Sequence, residues 1–326
     1  MKKITLAYGG GGEETNKLIN DLFYKYFDNE ILTSAEDAAV INSEGKIAFT
    51  TDSFTVSPLF FNGGNIGKLS VVGTCNDIAM MGAKPEYLTC GFMIEEGLTF
   101  DELEKIVKSM SEELKKAGAK IVAGDTKVVP AGSVDKIFIN TSGVGKVIKE
   151  NISAHNIKPG DKIIVSRDIG RHGTVIMAHR YGVETNIESD CKLLWDEVKA
   201  LIDGGIDIKA MRDATRGGIS AVLNEWSKAS GVGIEIDEDR LPVSDEVVGL
   251  CEIFGFEPVD LANEGTFVLA VGEKDAKKAE EILKNFSKNA SVIGEAVSGD
   301  KVVLKSPWGT KRVIELPKGE LLPRIC

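Results

Sequence analysis

The chain has 326 residues, 43% of them hydrophobic, which leaves room for two ordinary domains and a sizeable core. Lys and Arg total 39 against 50 Asp and Glu, a net charge of −11 with no basic stripe, which argues against nucleic acid or an anionic membrane as partner. The apolar runs fall short of the roughly 20 residues of a membrane span, and Met1-Lys2-Lys3-Ile4-Thr5-Leu6 meets glycines rather than an apolar signal core, so a cytoplasmic protein is expected. The cysteines Cys75, Cys90, Cys191, Cys251 and Cys326 form no C-x-x-C pair and read as reduced thiols rather than a zinc site or disulfide frame.

In chain order, Gly9-Gly10-Gly11-Gly12 is either a phosphate-wrapping loop or a flexible arm, and it matches neither common nucleotide fingerprint. Asp37 follows Glu36 in a polar stretch. The run Ile47–Thr51 predicts a strand that ends on Asp52. Asn76-Asp77 lies in a Gly-interrupted helical stretch from Gly64 to Gly82. Leu103, Ile106, Val107, Met110 and Leu114 predict a helix over 101–117, with Thr99 and Glu102 at capping-box spacing and Gly118 as its stop. Strands are predicted at Ile121–Ala123, just before Gly124-Asp125-Thr126-Lys127, and at Ile137–Thr141. Lys158-Pro159-Gly160-Asp161 is a turn signal, and a domain boundary is placed between residues 150 and 151.

The second half continues with strands at Ile163–Ser166, Val268–Val271, Val302–Leu304 and Val313–Leu316. Helices are marked by Leu193–Leu201, Ile219–Trp226 and Ala276–Phe286. His172 is expected in a loop. Strands alternate with helices in both halves, which predicts an α/β or α+β architecture with mixed sheets, divided into 1–150, 151–316 and a flexible tail over 317–326. Pro317, Gly319 and Pro323 block regular structure in that tail.

Several residues invite chemistry. Carboxylates at strand ends, Asp52 and Asp125 with Asp77 nearby, suit Mg²⁺, which takes a few carboxylates and keeps water and phosphate as its other ligands; each is equally readable as a turn residue. Arg216, just before the Ile219–Trp226 helix, is either an anion contact or a solvated neighbour of a capping Thr215. Glu264, in Ala262-Asn263-Glu264-Gly265, is a general base if a pocket forms around it and otherwise a surface carboxylate. Cys326 is expected as an exposed, mobile thiol.

Taken together, Thr51-Asp52-Ser53-Phe54, Gly67-Lys68-Leu69, Asn76-Asp77-Ile78-Ala79-Met80-Met81-Gly82-Ala83, Gly124-Asp125-Thr126-Lys127, Arg212-Asp213-Ala214-Thr215-Arg216-Gly217-Gly218, Ala262-Asn263-Glu264-Gly265 and the ending Leu322-Pro323-Arg324-Ile325-Cys326 resemble the HypE family of hydrogenase maturation proteins. That family sits in the superfamily of aminoimidazole ribonucleotide synthetase and selenophosphate synthetase. The resemblance spans essentially the whole chain, with Tyr8 standing where the family is expected to carry a His. A selenophosphate synthetase would place a Cys or selenocysteine in the N-terminal arm, whereas the first cysteine here is Cys75, and an aminoimidazole ribonucleotide synthetase has no need of a terminal cysteine. A non-catalytic carrier that presents Cys326 to a partner is the alternative of another class.

The resemblance implies a two-domain fold paired into a homodimer, with ATP and Mg²⁺ in a cleft. It implies that a carbamoyltransferase, HypF, loads a carboxamide on Cys326, that ATP-dependent dehydration makes a thiocyanate, and that a HypC–HypD scaffold receives the cyano group for the iron of a [NiFe]-hydrogenase. Cys326, Lys127 and Glu264 are the implied catalytic residues. Asp37, Asp52, Lys68, Asn76, Asp77, Asp125, Thr126, Asp213, Arg216 and Gly217 are implied at the nucleotide, with Asp52, Asp77 and Asp125 on the metal. A fully extended tail of this length reaches about 30 Å.

Overall fold

The structure, a computed structural model, describes residues 3–9, 13–34, 44–316 and 324–326. Asp37, Gly10 to Gly12 and residues 317–323 therefore lie outside the described residues. Among the described residues no helix is long and apolar enough to cross a membrane.

The first unit is built on a four-stranded sheet. β1 (Ile47–Phe54) alternates, so that Ala48, Thr50, Asp52 and Phe54 turn toward the packed side. α1 (Ile66–Met80) is capped by Asn65, whose side chain accepts from Gly67 N and Lys68 N. It is buried almost all round, which removes any amphipathic stripe from its sequence. Gly67 allows its closest approach: a Cβ there would stand 2.4 Å from the Ile106 carbonyl. β2 (Ala83–Glu95) leads to α2 (Phe100–Ala117), where the Thr99–Glu102 capping box forms and Gly118 closes the helix at φ 67°. β3 (Lys120–Val129) and β4 (Ile137–Val147) complete the sheet. Its order is β1-β4-β2-β3, with β2 and β3 parallel and the other pairs antiparallel. α1 lies over one face.

The second unit runs β5 (Lys162–Val165), α3 (Arg171–Arg180), α4 (Trp195–Asp203), β6 (Ile208–Asp213), α5 (Gly218–Ser230), β7 (Gly233–Asp237), α6 (Asp245–Phe254), β8 (Phe267–Val271), α7 (Glu273–Lys284), β9 (Ser291–Val297), β10 (Val302–Lys305) and β11 (Lys311–Val313). The order β11-β10-β7-β9-β5-β8-β6 makes a seven-stranded sheet, mixed because β7 and β10 are parallel. The two units interlock. Ala79 and Met80 of α1 share a core with Trp195, Leu201 and Phe267, while Val175 and Ile176 of α3 pack into the core of the first unit.

Three local expectations are corrected. The last strand stops at Val313 rather than running from Val313 to Leu316, although Ile314 N still donates to the Val302 carbonyl opposite it. His172 is the second residue of α3 and fully buried, not in a loop. Asp52 and Asp125 lie inside β1 and β3 rather than at strand ends, since both strands run on past them.

Candidate active site

A cleft of about 850 Å³ opens between the two units, lined by Thr50, Asp52 and Asp77 on one wall and by Arg212, Asp213 and Thr215 on the other. Its apolar end is made by Ile47, Met80, Met81 and Trp226. The volume is that of an ordinary small-molecule site. β1 and α1 supply one pair of acids by packing: the Thr74 hydroxyl of α1 donates to Asp52 at 3.0 Å, and the Thr50 hydroxyl of β1 donates to Asp77 at 2.9 Å. β6 ends on the third, Asp213.

These acids feel one another. Burial, with Asp52 alongside, pushes Asp77 up to about 6; burial, with Asp77 alongside, pushes Asp213 up to about 7. Asp52 is also raised by burial, partly offset by the Thr74 hydrogen bond and by Arg216. Three carboxylates gathered against their own repulsion form a site for positive charge. The donors are all hard oxygens. Hard oxygens of this kind are what Mg²⁺ takes alongside water and phosphate, although among the described residues no three His, Cys, Asp or Glu side chains are gathered closely enough to hold a metal by themselves.

Glu264 is not among the residues that line the cleft, but Asp213, Asp52 and Asp77 are near enough to act on its charge. Its main chain is held from both sides. Glu264 N donates to Asp190 Oδ1 at 3.0 Å, and its carbonyl accepts from Asn76 Nδ2 at 3.4 Å and Lys192 N at 3.4 Å. Gly265 N and the Thr266 hydroxyl also bind the Asp190 carboxylate, at 3.0 and 2.8 Å. Gly265 has no room for a side chain, because a Cβ would meet the Asp190 carbonyl at 1.9 Å. Glu264 is 3% exposed and its carboxyl Oε1 has no hydrogen-bond partner. Burial, with Asp213 and Asp190 nearby, holds its pKa well above the usual carboxylate range.

The last three residues are docked rather than exposed. Thr55 N donates to the Cys326 carbonyl at 2.9 Å and Ser57 N to the Arg324 carbonyl at 3.2 Å, extending the chain that leaves β1. The Arg324 side chain returns to Thr55 O at 2.8 Å and pairs with Asp135 at 2.7 Å. Ile325 is 2% exposed in the core of the first unit. The Cys326 thiol is half-buried, and burial, with the Glu264 charge, pushes it up to about 12. Arg216 acts in the opposite direction, while Asp52 and Asp213 add to the rise. The thiol thus sits within electrostatic reach of Glu264, Asp52, Asp213 and Arg216.

The other residues singled out from the sequence separate. Gly217, at φ 76°, and Gly218 open α5 beside Arg216, giving the cleft a helix N-terminus. Asn76 is 2% exposed; its amide is committed to the carbonyls of Lys192 and Glu264 and to Leu194 N, so it fastens the 192–194 segment to α1. Lys68 lies at the opposite end of α1, donating to the Gly63 carbonyl at 2.9 Å. Asp125 and Lys127 pair with each other at 3.1 Å, both largely exposed, and Thr126 N donates to Asp125. They sit on β3, three strands from β1 in sheet order and so about 14 Å across the sheet from Asp52. The sequence reading missed Asp190, Ser189 and Arg180, which reach the site only through the fold.

Residues 35–147 match the model of the AIR synthase related protein N-terminal domain, and 158–306 match its C-terminal domain. Fold and cleft therefore define an AIR synthase related protein. Within that class the chain is 45% identical to carbamoyl dehydratase HypE of Escherichia coli (strain K12), with 100% of each chain covered. A crystal structure of hydrogenase maturation protein HypE in complex with ATP superposes with a TM-score of 0.96 at 40% identity, covering 98% of this chain and 99% of that one. A HypE–HypF complex gives 0.82 at 50% identity, with 92% and 99% covered. The chain belongs to the HypE family of carbamoyl dehydratases.

Proposed function

We propose that this protein uses ATP to dehydrate a carboxamide carried on Cys326 to a thiocyanate, supplying the cyano ligand for the iron of a [NiFe]-hydrogenase. The observation that carries this reading is the docked Cys326 thiol, within electrostatic reach of Glu264 and of the cleft acids Asp52 and Asp213. The family relationship supports it, as do the ATP and HypF named for the related structures. In this reading HypF loads the carboxamide and a HypC–HypD scaffold takes the cyano group onward, all in the cytoplasm.

The chemistry follows from the groups present. An amide oxygen leaves poorly, so it first attacks the γ-phosphorus of ATP and displaces ADP. Loss of two N–H protons and cleavage of the C–O bond then release phosphate and leave S–C≡N. Asp52, Asp77 and Asp213 would hold Mg²⁺, which supplies charge neutralisation on the phosphates. Arg216 and the N-terminus of α5 draw the anion into the cleft. Glu264, with its raised pKa, is a strong enough base to take a nitrogen proton. The buried setting keeps water from the product.

Asp125 and Lys127 enter this scheme through a homodimer. The sheet face that carries Phe49, Thr51, Met93, Asp125 and Lys127 is uncovered among the described residues, and Phe49 is 69% exposed on it. Pairing that face with its copy lets the partner subunit's Lys127 lie over the β1 side, where it steadies the transferring phosphoryl or the carboxamide oxygen. Phe49→Glu should turn a dimer into a monomer by light scattering; a parent that is itself monomeric ends this part of the reading.

The central test is the intact mass of the protein after incubation with the carbamoyltransferase, carbamoyl phosphate and ATP. We expect a carbamoyl adduct on Cys326, then loss of one water from it, with that loss stopped by a chelator. An adduct that forms but never loses water in the presence of Mg²⁺ and ATP would leave the protein a carrier.

A further inference from the structure

We propose that His172 is a positioning residue for the reaction: its imidazole reads the main-chain carbonyl of Ile325 and so sets the position of the Cys326 thiol. His172 is fully buried near the start of α3, with its ring edge-on to Phe61 at 5.3 Å between centroids and an interplanar angle of 84°. Its Nε2 lies 2.8 Å from the Ile325 carbonyl. A carbonyl only accepts, so Nε2 carries a proton. Nδ1 lies 2.8 Å from Ser189 Oγ, which completes the assignment: in the neutral ring favoured by burial, Nδ1 accepts from the hydroxyl. The ring is thereby held in one tautomer and one orientation, with its single N–H aimed at the tail.

The same loop serves both halves of the site. Ser189 N donates to the Asn62 carbonyl at 2.9 Å, and Ser189 Oγ accepts from Cys191 N at 3.1 Å, which pins the loop against the first unit. The next residue, Asp190, takes Glu264 N, Gly265 N and the Thr266 hydroxyl. A tail seated on His172 is thus registered against the loop that fixes Glu264. Arg180, farther along α3, adds a second main-chain reading: it donates to the Arg324 carbonyl at 2.6 Å and to the Ser57 carbonyl at 2.8 Å. Both contacts address the backbone, so they fix how far the tail inserts whatever is attached to the sulfur.

The catalytic meaning of this clasp rests on Cys326 being the reacting thiol, but the clasp itself is tested without the reaction. In the full-length protein, iodoacetamide labelling is followed at each cysteine by peptide mass spectrometry. Labelling of a docked thiol requires the tail to open, so its rate reports the open population. His172→Leu removes the N–H donor and should raise labelling of Cys326 about tenfold, the effect of one net hydrogen bond, while buried Cys75, Cys90, Cys191 and Cys251 stay at the parent rate. His172→Gln, which keeps an N–H near the Nε2 position, should stay close to the parent. A Leu variant with parental Cys326 labelling, or one in which all five thiols rise together, would overturn the proposal. So would ¹⁵N NMR of the parent showing the His172 ring protonated at Nδ1 alone, since Nε2 would then turn a lone pair toward the carbonyl.

Discussion

Cys326→Ala is expected to fold as the parent does, to bind nucleotide, and to accept no carbamoyl group at all. The docking of the last residues does not run through the sulfur: Thr55 N binds the Cys326 carbonyl, Ser57 N and Arg180 bind the Arg324 carbonyl, and His172 binds the Ile325 carbonyl. Alanine keeps all of these and removes one half-buried atom, so the stability change should stay within about 1 kcal/mol. The chemical loss is complete because no other thiol is placed to substitute. Cys75, Cys90 and Cys191 are at most 2% exposed, and Cys251 is 4% exposed. Intact mass after treatment with the loading enzyme decides the matter. Any carbamoyl adduct that appears on the variant at the parental extent moves the carrier site elsewhere and removes the basis of the proposed reaction.

The thiol also shows how position changes reactivity. Docked, its pKa of about 12 leaves almost no thiolate near neutrality, so the seated state is a poor nucleophile. In the proposed reaction, the same burial that would protect a finished thiocyanate would therefore disfavour loading. On that proposal, acceptance of the carbamoyl group and its dehydration would call for different tail positions, and the main-chain clasp on α3 would open and re-form between them.

The parts of this molecule that could be read from sequence are those whose cause is local. α2 was legible because its apolar period and its capping box are written in consecutive residues, and α7 because its Lys and Glu face water. β2 was not, since Pro85 and Gly91 interrupt it; the fold absorbs the proline with a register shift between Pro85 and Tyr87. α3 was hidden for the opposite reason: it is buried from His172 to Ala178 and so shows no amphipathic period. At the site, Asp52, Asp77 and Asp213 each sit in a readable motif, but their approach does not follow from any of them. The resemblance of local pattern paired Asp52 with Asp125, while sheet order places two strands between β1 and β3. Asp190 and Ser189 carried no signal, because each gains its role from a partner more than fifteen residues away, brought near only by packing, and His172 stood out only as a histidine between Arg171 and Gly173, with nothing to point to Ile325.

Glu264→Gln is expected to accept the carbamoyl group and bind ATP as the parent does, and then to stall. The substitution is mild structurally. The residue's position is fixed by its main chain, through Asp190, Asn76 and Lys192, and none of those bonds involves the carboxyl. The carboxyl itself is buried with Oε1 unpartnered, and burial beside Asp213 and Asp190 already works against a charge there. An uncharged amide of the same shape therefore disturbs little in the resting protein. What it removes is the ability to take a proton. Dehydration needs two N–H protons to leave, and loss of a general base costs typically ~10²–10⁴ in rate. Carboxamide and thiocyanate differ by one water, so intact mass followed over time reads the step directly: a persistent carbamoyl adduct on Cys326 with ATP and Mg²⁺ present is the expected result. Conversion at near the parental rate would show that another group takes the protons, with Lys127 or a phosphate oxygen next in line, and would reduce Glu264 to a buried acid that shapes the wall behind the thiol.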